Sequence, residues 1–289
     1  MYRRLLPIVV TLVAHGLSGC NASQRSPVAP SPGPQPAPQS AAIQVMGIVL
    51  DTAFRPLAGA TVEVVDGTHA GTSTIANATG EFTFRRTFDD RTTFRASKDG
   101  YVSAAGVLTP TCASCNRSTR FLGFYLAPPA APVEIAGDYT LTFTADSACA
   151  DLPNELRTRT YAAAITALSQ QNAPANTIFN VRVSGAQFYR DHVAFSIGVA
   201  GNVIAFEFGG HGPYVVEQVA PNTYLAFDGR AEMTVGPSPV STIATSFDSS
   251  IEYCERRFEM GSGHSCSPGE AVARAKCVSK NHRLNLTRR

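Results

Sequence analysis

Gly47-Ile48-Val49-Leu50-Asp51, followed by Pro56-Leu57-Ala58-Gly59-Ala60-Thr61-Val62 and then by Gly80-Glu81-Phe82-Thr83-Phe84, decides the fold of the first half of the chain. Residues 43–51 carry apolar side chains on both faces, which predicts a fully buried strand. A turn through Phe54-Arg55-Pro56-Leu57-Ala58-Gly59 leads into a second strand at 61–65. Phe82 and Phe84 alternate with Glu81, Thr83 and Arg85, the period-two pattern of a half-buried strand. Gly80 closes the Asn77-Ala78-Thr79-Gly80 hairpin, where a positive φ is expected. With further strands at 70–76, 91–98, 101–108 and 119–126, the spacing predicts a seven-stranded β-sandwich over 43–127.

The order Gly47-x-Val49-x-Asp51, Pro56-Leu57-Ala58-Gly59-Ala60-x-Val62, Gly80-Glu81-Phe82-x-Phe84 and Gly100-Tyr101 resembles carboxypeptidase regulatory-like domains, which are transthyretin-like (prealbumin-type) sandwiches. Asn77 stands where many members of that family carry Asp, and both residues suit a turn. The resemblance implies a structural, adhesive or carbohydrate-binding module appended to other domains.

A short Pro-rich linker, 128–132, separates this module from 133–289. There, Tyr139, Leu141 and Phe143 alternate with Thr140, Thr142 and Thr144. Strands follow near 158–168, 176–184, 191–199, 203–208, 213–219, 223–235, 241–253 and 282–288, with a tight hairpin at Ala200-Gly201-Asn202. Consecutive strands with hairpin-scale links favour an antiparallel up-and-down β-barrel over a second sandwich. Strand count and the ending Cys277…His282-Arg283-Leu284-x-Leu286 resemble lipocalin-like barrels. The whole chain reads as all-β.

The first residues read differently. Arg3 and Arg4, an apolar run at 5–14 and small residues at 18–19 describe a secretory signal over 1–20. Its apolar core is about half the ~20 residues a bilayer-spanning helix needs. Leu17-Ser18-Gly19-Cys20 resembles the lipobox of bacterial lipoproteins, which implies a diacylated Cys20 and, with Asn21 after it, the outer membrane. Two or three acyl chains anchor a protein stably. Residues 21–42 hold prolines among Ser, Ala and Gln, a semi-rigid extended spacer. Removing Arg3 and Arg4 leaves 22 basic against 22 acidic residues, which argues against nucleic-acid binding.

Of the seven cysteines, six remain beside Cys20: Cys112, Cys115, Cys149, Cys254, Cys266 and Cys277. An even number in an exported chain predicts disulfides. Cys112-Ala-Ser-Cys115 has no second CxxC and no βαβ setting, so a small structural disulfide is expected over a redox or zinc site. The other four allow three pairings. A bridge from Cys149 to the C-terminal region closes the longest loop and is the most stabilising, at roughly 5 kcal/mol.

Neither HExxH nor HxxE occurs, so the zinc site of a carboxypeptidase catalytic domain is missing; GxSxG and a P-loop are missing too. The chain is therefore expected to be non-catalytic, with no cofactor and no metal. His69, His192, His211, His264 and His282 are scattered without ligand spacing. Asp151 to Arg157 reads as a short capping helix with surface charges. Phe195, Phe206, Phe208, Tyr214 and Tyr224 are candidates to line the interior of the barrel. The expectation is a lipid-anchored envelope protein presenting two β modules for binding or cell-envelope interaction, with an envelope protein among its candidate partners. Carriage of a small apolar ligand and glycan binding are the alternatives.

Overall fold

The computed structural model describes residues 43–109, 119–170, 172–188, 193–208, 215–236, 240–256 and 271–289. The first module holds β1 (Ile43–Asp51), β2 (Thr61–Val64), β3 (Ser73–Ile75), β4 (Glu81–Phe88), β5 (Thr93–Ser97), β6 (Ala104–Val107) and β7 (Thr119–Leu126). They form two facing sheets, β4-β1-β7 and β3-β2-β5-β6. β1 pairs antiparallel with β4 and parallel with β7. Val45, Val49, Val62, Phe84, Phe94 and Phe124 fill the space between the sheets. Phe84, Phe88 and Phe94 meet one another at centroid distances of 5.1 to 5.5 Å. Gly80 has φ +79°, as its hairpin requires.

β1 corrects one expectation. Val45 and Val49 are completely buried, but Met46 is 44 % exposed and neighbours Phe121, itself 66 % exposed. A sandwich covers only one face of each sheet, so the apolar residues on the outer face of β1 stay in solvent.

The second module holds β8 (Gly137–Thr144), β9 (Thr158–Ala167), β10 (Ile178–Ser184), β11 (Val193–Ala200), β12 (Val203–Phe208), β13 (Val215–Ala220), β14 (Thr223–Thr234), β15 (Thr242–Arg256) and β16 (Ala271–Arg288). β8 to β12 run as an antiparallel meander, β14 to β16 as another, and the pairings β8–β16 and β12–β14 close the ring. The result is an eight-stranded barrel of β8–β12 and β14–β16. Alternation puts Leu141 and Phe143, Tyr161 and Ile165, Phe195 and Ile197, Phe206 and Phe208, and Leu284 and Leu286 inside.

Two strands differ from their sequence expectation. β13 lies outside the ring: β14 is long enough to pair with β13 through Thr223–Phe227 and with β12 through Gly229–Thr234. β16 begins at Ala271 rather than near 282 and pairs with β15 down to that residue. Its first half, Ala-Val-Ala-Arg-Ala-Lys, has small and charged residues in place of a clean apolar alternation.

The loop after β1 joins the modules. Asp51 is completely buried, and its Oδ1 accepts the backbone N–H groups of Ala53 (2.8 Å) and Arg55 (2.9 Å). Its Oδ2 accepts Nε of Arg55 and pairs with Nη2, both at 2.6 Å. This hold sets Phe54 at φ +61°, a conformation that costs a non-glycine residue about 1–3 kcal/mol. Phe54 then packs with Ile178, Ala200 and Ala205 of the barrel and edge-on against Tyr125. Arg230 donates to the carbonyl of Ala53 at 3.1 Å, and Tyr125 donates its N–H to the Asn172 carbonyl at 3.0 Å.

Gly198 on β11 makes room for that loop. A Cβ there meets the carbonyl oxygen of Thr52 and the ring of Phe54, the latter at 2.9 Å. Gly198→Ala is expected to lose about 1–3 kcal/mol of stability, as overpacking does, in urea denaturation followed by far-UV circular dichroism. Gly236→Ala, with open space around it, is the control and is expected to leave the midpoint unmoved.

Candidate functional site

The barrel interior is the first place to look for a ligand. Phe195 and Phe208 stack at 4.1 Å, Phe208 meets Phe247 at 4.7 Å, and Phe143 stacks on Phe227 at 5.1 Å. Phe206 reaches Phe195 at 6.5 Å. The expected lining residues Phe195, Phe206 and Phe208 thus point inward and pack on each other. Tyr224 lies on the other face of β14, buried with Val216, Ala226 and Cys254, because its inward neighbours are Leu225 and Phe227. Tyr214 lies outside the described residues.

Polar groups close both ends of this apolar column. At one end the completely buried Tyr139 donates its hydroxyl to the Ile135 carbonyl at 2.9 Å. Arg288 donates to the same hydroxyl at 3.0 Å and lies over the ring, 5.3 Å from its centroid. At the other end β13 brings Glu217, 2 % exposed, against β9. Arg159 Nε donates to Glu217 Oε2 at 2.9 Å, Arg159 Nη2 donates to Oε1, and the Tyr161 hydroxyl donates to Oε2 at 2.8 Å. Burial first, then the charge of Glu217, pushes the Tyr161 hydroxyl strongly upward from its ordinary pKa, so it remains a donor. Both carboxylate oxygens are engaged, which makes the trio a latch rather than an acid or base poised for catalysis.

Beside it, at the same end, lies a second polar group. Cys149, in the turn after β8, is disulfide-bonded to Cys277 of β16, 128 residues away. His282 is completely buried; its Nδ1 accepts the Asp146 N–H at 2.9 Å, and its ring lies 5.8 Å from that of Phe143. Its Nε2 is buried and faces the Ser249 backbone. Burial lowers the pKa of His282, against the opposing charge of Asp146. The Asp146 carboxylate accepts the Ala148 N–H at 3.0 Å and the Ser279 hydroxyl. These bonds, that from Ala148 foremost, hold its pKa at about 2, below the ordinary 3.8. The segment after Cys149 forms a short 3-10 turn, Asn154–Leu156, and Arg157 donates to the carbonyls of Leu152 and Ala150.

Cys254 is also disulfide-bonded. Cys20, Cys112, Cys115 and Cys266 lie outside the described residues, as do His192, His211 and His264. His69 lies on the sandwich, edge-on to Phe88 at 5.5 Å. Arg159, Tyr161, Glu217 and Asp146 escaped the sequence reading. Glu217 carried a signal, a carboxylate inside the apolar strand Val-Val-Glu-Gln-Val, since such a group is buried only when paired. Arg159 and Tyr161 share a face by strand period, but nothing in the sequence links them to residue 217.

Fold and site together define a two-module all-β protein, a seven-stranded sandwich joined to a closed barrel with internal polar pairs at its ends. Residues 44–114, within the first module, match the family model of the carboxypeptidase regulatory-like domain. Among curated proteins none matches. Among solved structures, a Streptococcal ancillary pilin aligns at 13 % identity over 70 % of this chain and 61 % of that one, with a TM-score of 0.21. The chain therefore spans about three fifths of that pilin's length.

The disulfide sets the barrel's stability. Replacing Cys149 and Cys277 together by Ala is expected to cost up to about 5 kcal/mol in chemical denaturation, because the closed loop is long. Asp146 sets a pH response. A carboxyl depressed on folding stabilises above its unfolded pKa and loses that effect as pH falls through the folded value. Melting curves of wild type and Asp146→Ala are expected to differ at neutral pH and to converge between 3.8 and about 2.

Proposed function

We propose that this chain is a non-catalytic, membrane-anchored lipoprotein of the bacterial cell envelope that presents its sandwich and barrel as one stiff binding body. The observation that carries this reading is the junction. A buried Asp51, a left-handed Phe54 and contacts from Arg230 and Asn172 fasten the sandwich to the barrel. In this reading Cys20 bears the lipid and the Pro-rich 21–42 holds the body away from the bilayer, at roughly 3 Å per residue. The polar groups near the barrel ends fit a structural role, since the Glu217 and Asp146 carboxylates are bonded within the protein.

Carriage of a small apolar ligand has less support. The rings of Phe143, Phe195, Phe208, Phe227 and Phe247 occupy the barrel interior at stacking and edge distances. The carboxypeptidase regulatory-like match keeps the sandwich as the face for an envelope protein or a glycan. Expression of the full chain in a bacterial host fed an alkyne fatty acid tests the anchor. Wild type is expected to take the label and sediment with membranes, whereas Cys20→Ala takes none and stays in the soluble fraction. Equal fractionation of the two chains, without label, overturns the anchor.

A further inference from the structure

A bulge in β16 gathers three metal-binding side chains at one end of the barrel. Phe247 of β15 pairs with His282 and Ser249 with Ser279, so Lys280 and Asn281 stand opposite the single residue Asp248. Along a regular strand 277, 279 and 281 share a face. The extra residue puts 282 there instead, half-buried Cys277 and Ser279 and buried His282 on one side. Cys149 comes from the turn after β8. The ligating atoms of Cys149, Cys277 and His282 lie within 4.8 Å of one another. The disulfide accounts for the two sulfurs. It does not account for the buried imidazole of His282 placed beside them.

We propose that Cys149, Cys277 and His282 form a binding site for a thiophilic divalent cation, zinc, that opens when the disulfide is reduced. A dithiol is the reductant. Its two sulfurs join in a new disulfide, its two electrons break the Cys149–Cys277 bond, and each freed sulfur takes a proton. Zinc then releases both thiol protons to solvent and takes two thiolates and one imidazole nitrogen. Nδ1 accepts the Asp146 N–H, so it carries the ring's lone pair and the ring proton sits on Nε2. Zinc takes the place of that amide at Nδ1 and leaves the tautomer unchanged. Two thiolates and an imidazole select zinc over magnesium or calcium. Three protein ligands leave the fourth tetrahedral position open. Oxidised, the site is closed by its own covalent bond; reduced, it trades one crosslink for another.

The full chain, reduced anaerobically with a phosphine and titrated with zinc alone, tests this. Bound metal is counted by inductively coupled plasma mass spectrometry, and cobalt in place of zinc reports thiolate ligation by its charge-transfer absorption. Cys112, Cys115, Cys254 and Cys266 are present in every variant and form a common background. Wild type is expected to hold one zinc more than His282→Gln or Cys149→Ser, or to bind that zinc at least about tenfold more tightly. The cobalt band is expected to weaken in Cys149→Ser. Circular dichroism of oxidised His282→Gln, where the disulfide is intact, checks its folding. If reduction unfolds the wild-type chain, zinc is expected to restore its cooperative melting and to fail with both variants. Equal zinc binding by wild type and both variants, binding of the same zinc by the oxidised chain, or a reduced chain that neither binds zinc nor refolds with it overturns the proposal.

Discussion

The Asp51 carboxylate is the constraint on which the joined molecule depends. A buried charge is costly unless its lone pairs are filled, and here two backbone N–H groups and the Arg55 guanidinium fill them. Charge-assisted bonds of this kind contribute about 1.5–3 kcal/mol each. That exceeds the 1–3 kcal/mol or so that a left-handed Phe54 costs. The loop therefore keeps a shape that an unassisted backbone avoids, and that shape aims an aromatic ring at the barrel. Asp51 thus works together with the Tyr125–Asn172 and Arg230–Ala53 bonds that also join the two modules.

Much of this architecture is legible in the residues, for reasons that differ between modules. The sandwich is readable because its turns demand particular chemistry: Gly80 at positive φ, Pro56 and Gly59 around the crossing to β2, and Phe82 and Phe84 in strict alternation. The barrel is readable in strand number, through Tyr139, Leu141 and Phe143 and through the Gly201 hairpin. Its closure is harder to see. Nothing in the sequence of β14 announces that one half pairs with β13 and the other with β12, because pairing partners are a matter of backbone edges rather than side-chain pattern. Asp51 shows the same limit. It stands in the motif that marks the first strand, yet its bonds to Arg55 and its effect on Phe54 appear only when the loop is folded against Gly198.

The interior of the barrel follows one rule from end to end. Its middle is aromatic, with Phe143, Phe208, Phe227 and Phe247 in mutual contact. At the rims, Arg288 pairs with Tyr139 at one end, and Arg159 and Tyr161 pair with Glu217 at the other. An ion pair at a rim keeps part of its hydration, since Arg159 remains 27 % exposed. It avoids the full penalty of a charge in the middle of the core. Glu217 also explains why β13 stays close to the ring it does not join.

The seam between β8 and β16 shows why the rims are built as they are. This pairing joins the first and last strands of the barrel, so folding must bring together segments far apart in sequence before any contact rewards it. One end of the seam has a covalent staple in Cys149–Cys277, which removes about 5 kcal/mol of chain entropy from the unfolded state. The other end has Arg288 clasped to Tyr139 and to the Ala136 carbonyl. Between them, six register pairs from Arg283–Thr144 to Arg288–Tyr139 hold the ring shut. The staple and the clasp act at opposite ends of the same pairing, and neither lies on a strand that the other lacks. A barrel closed this way resists fraying at one of the two pairings that join its meanders.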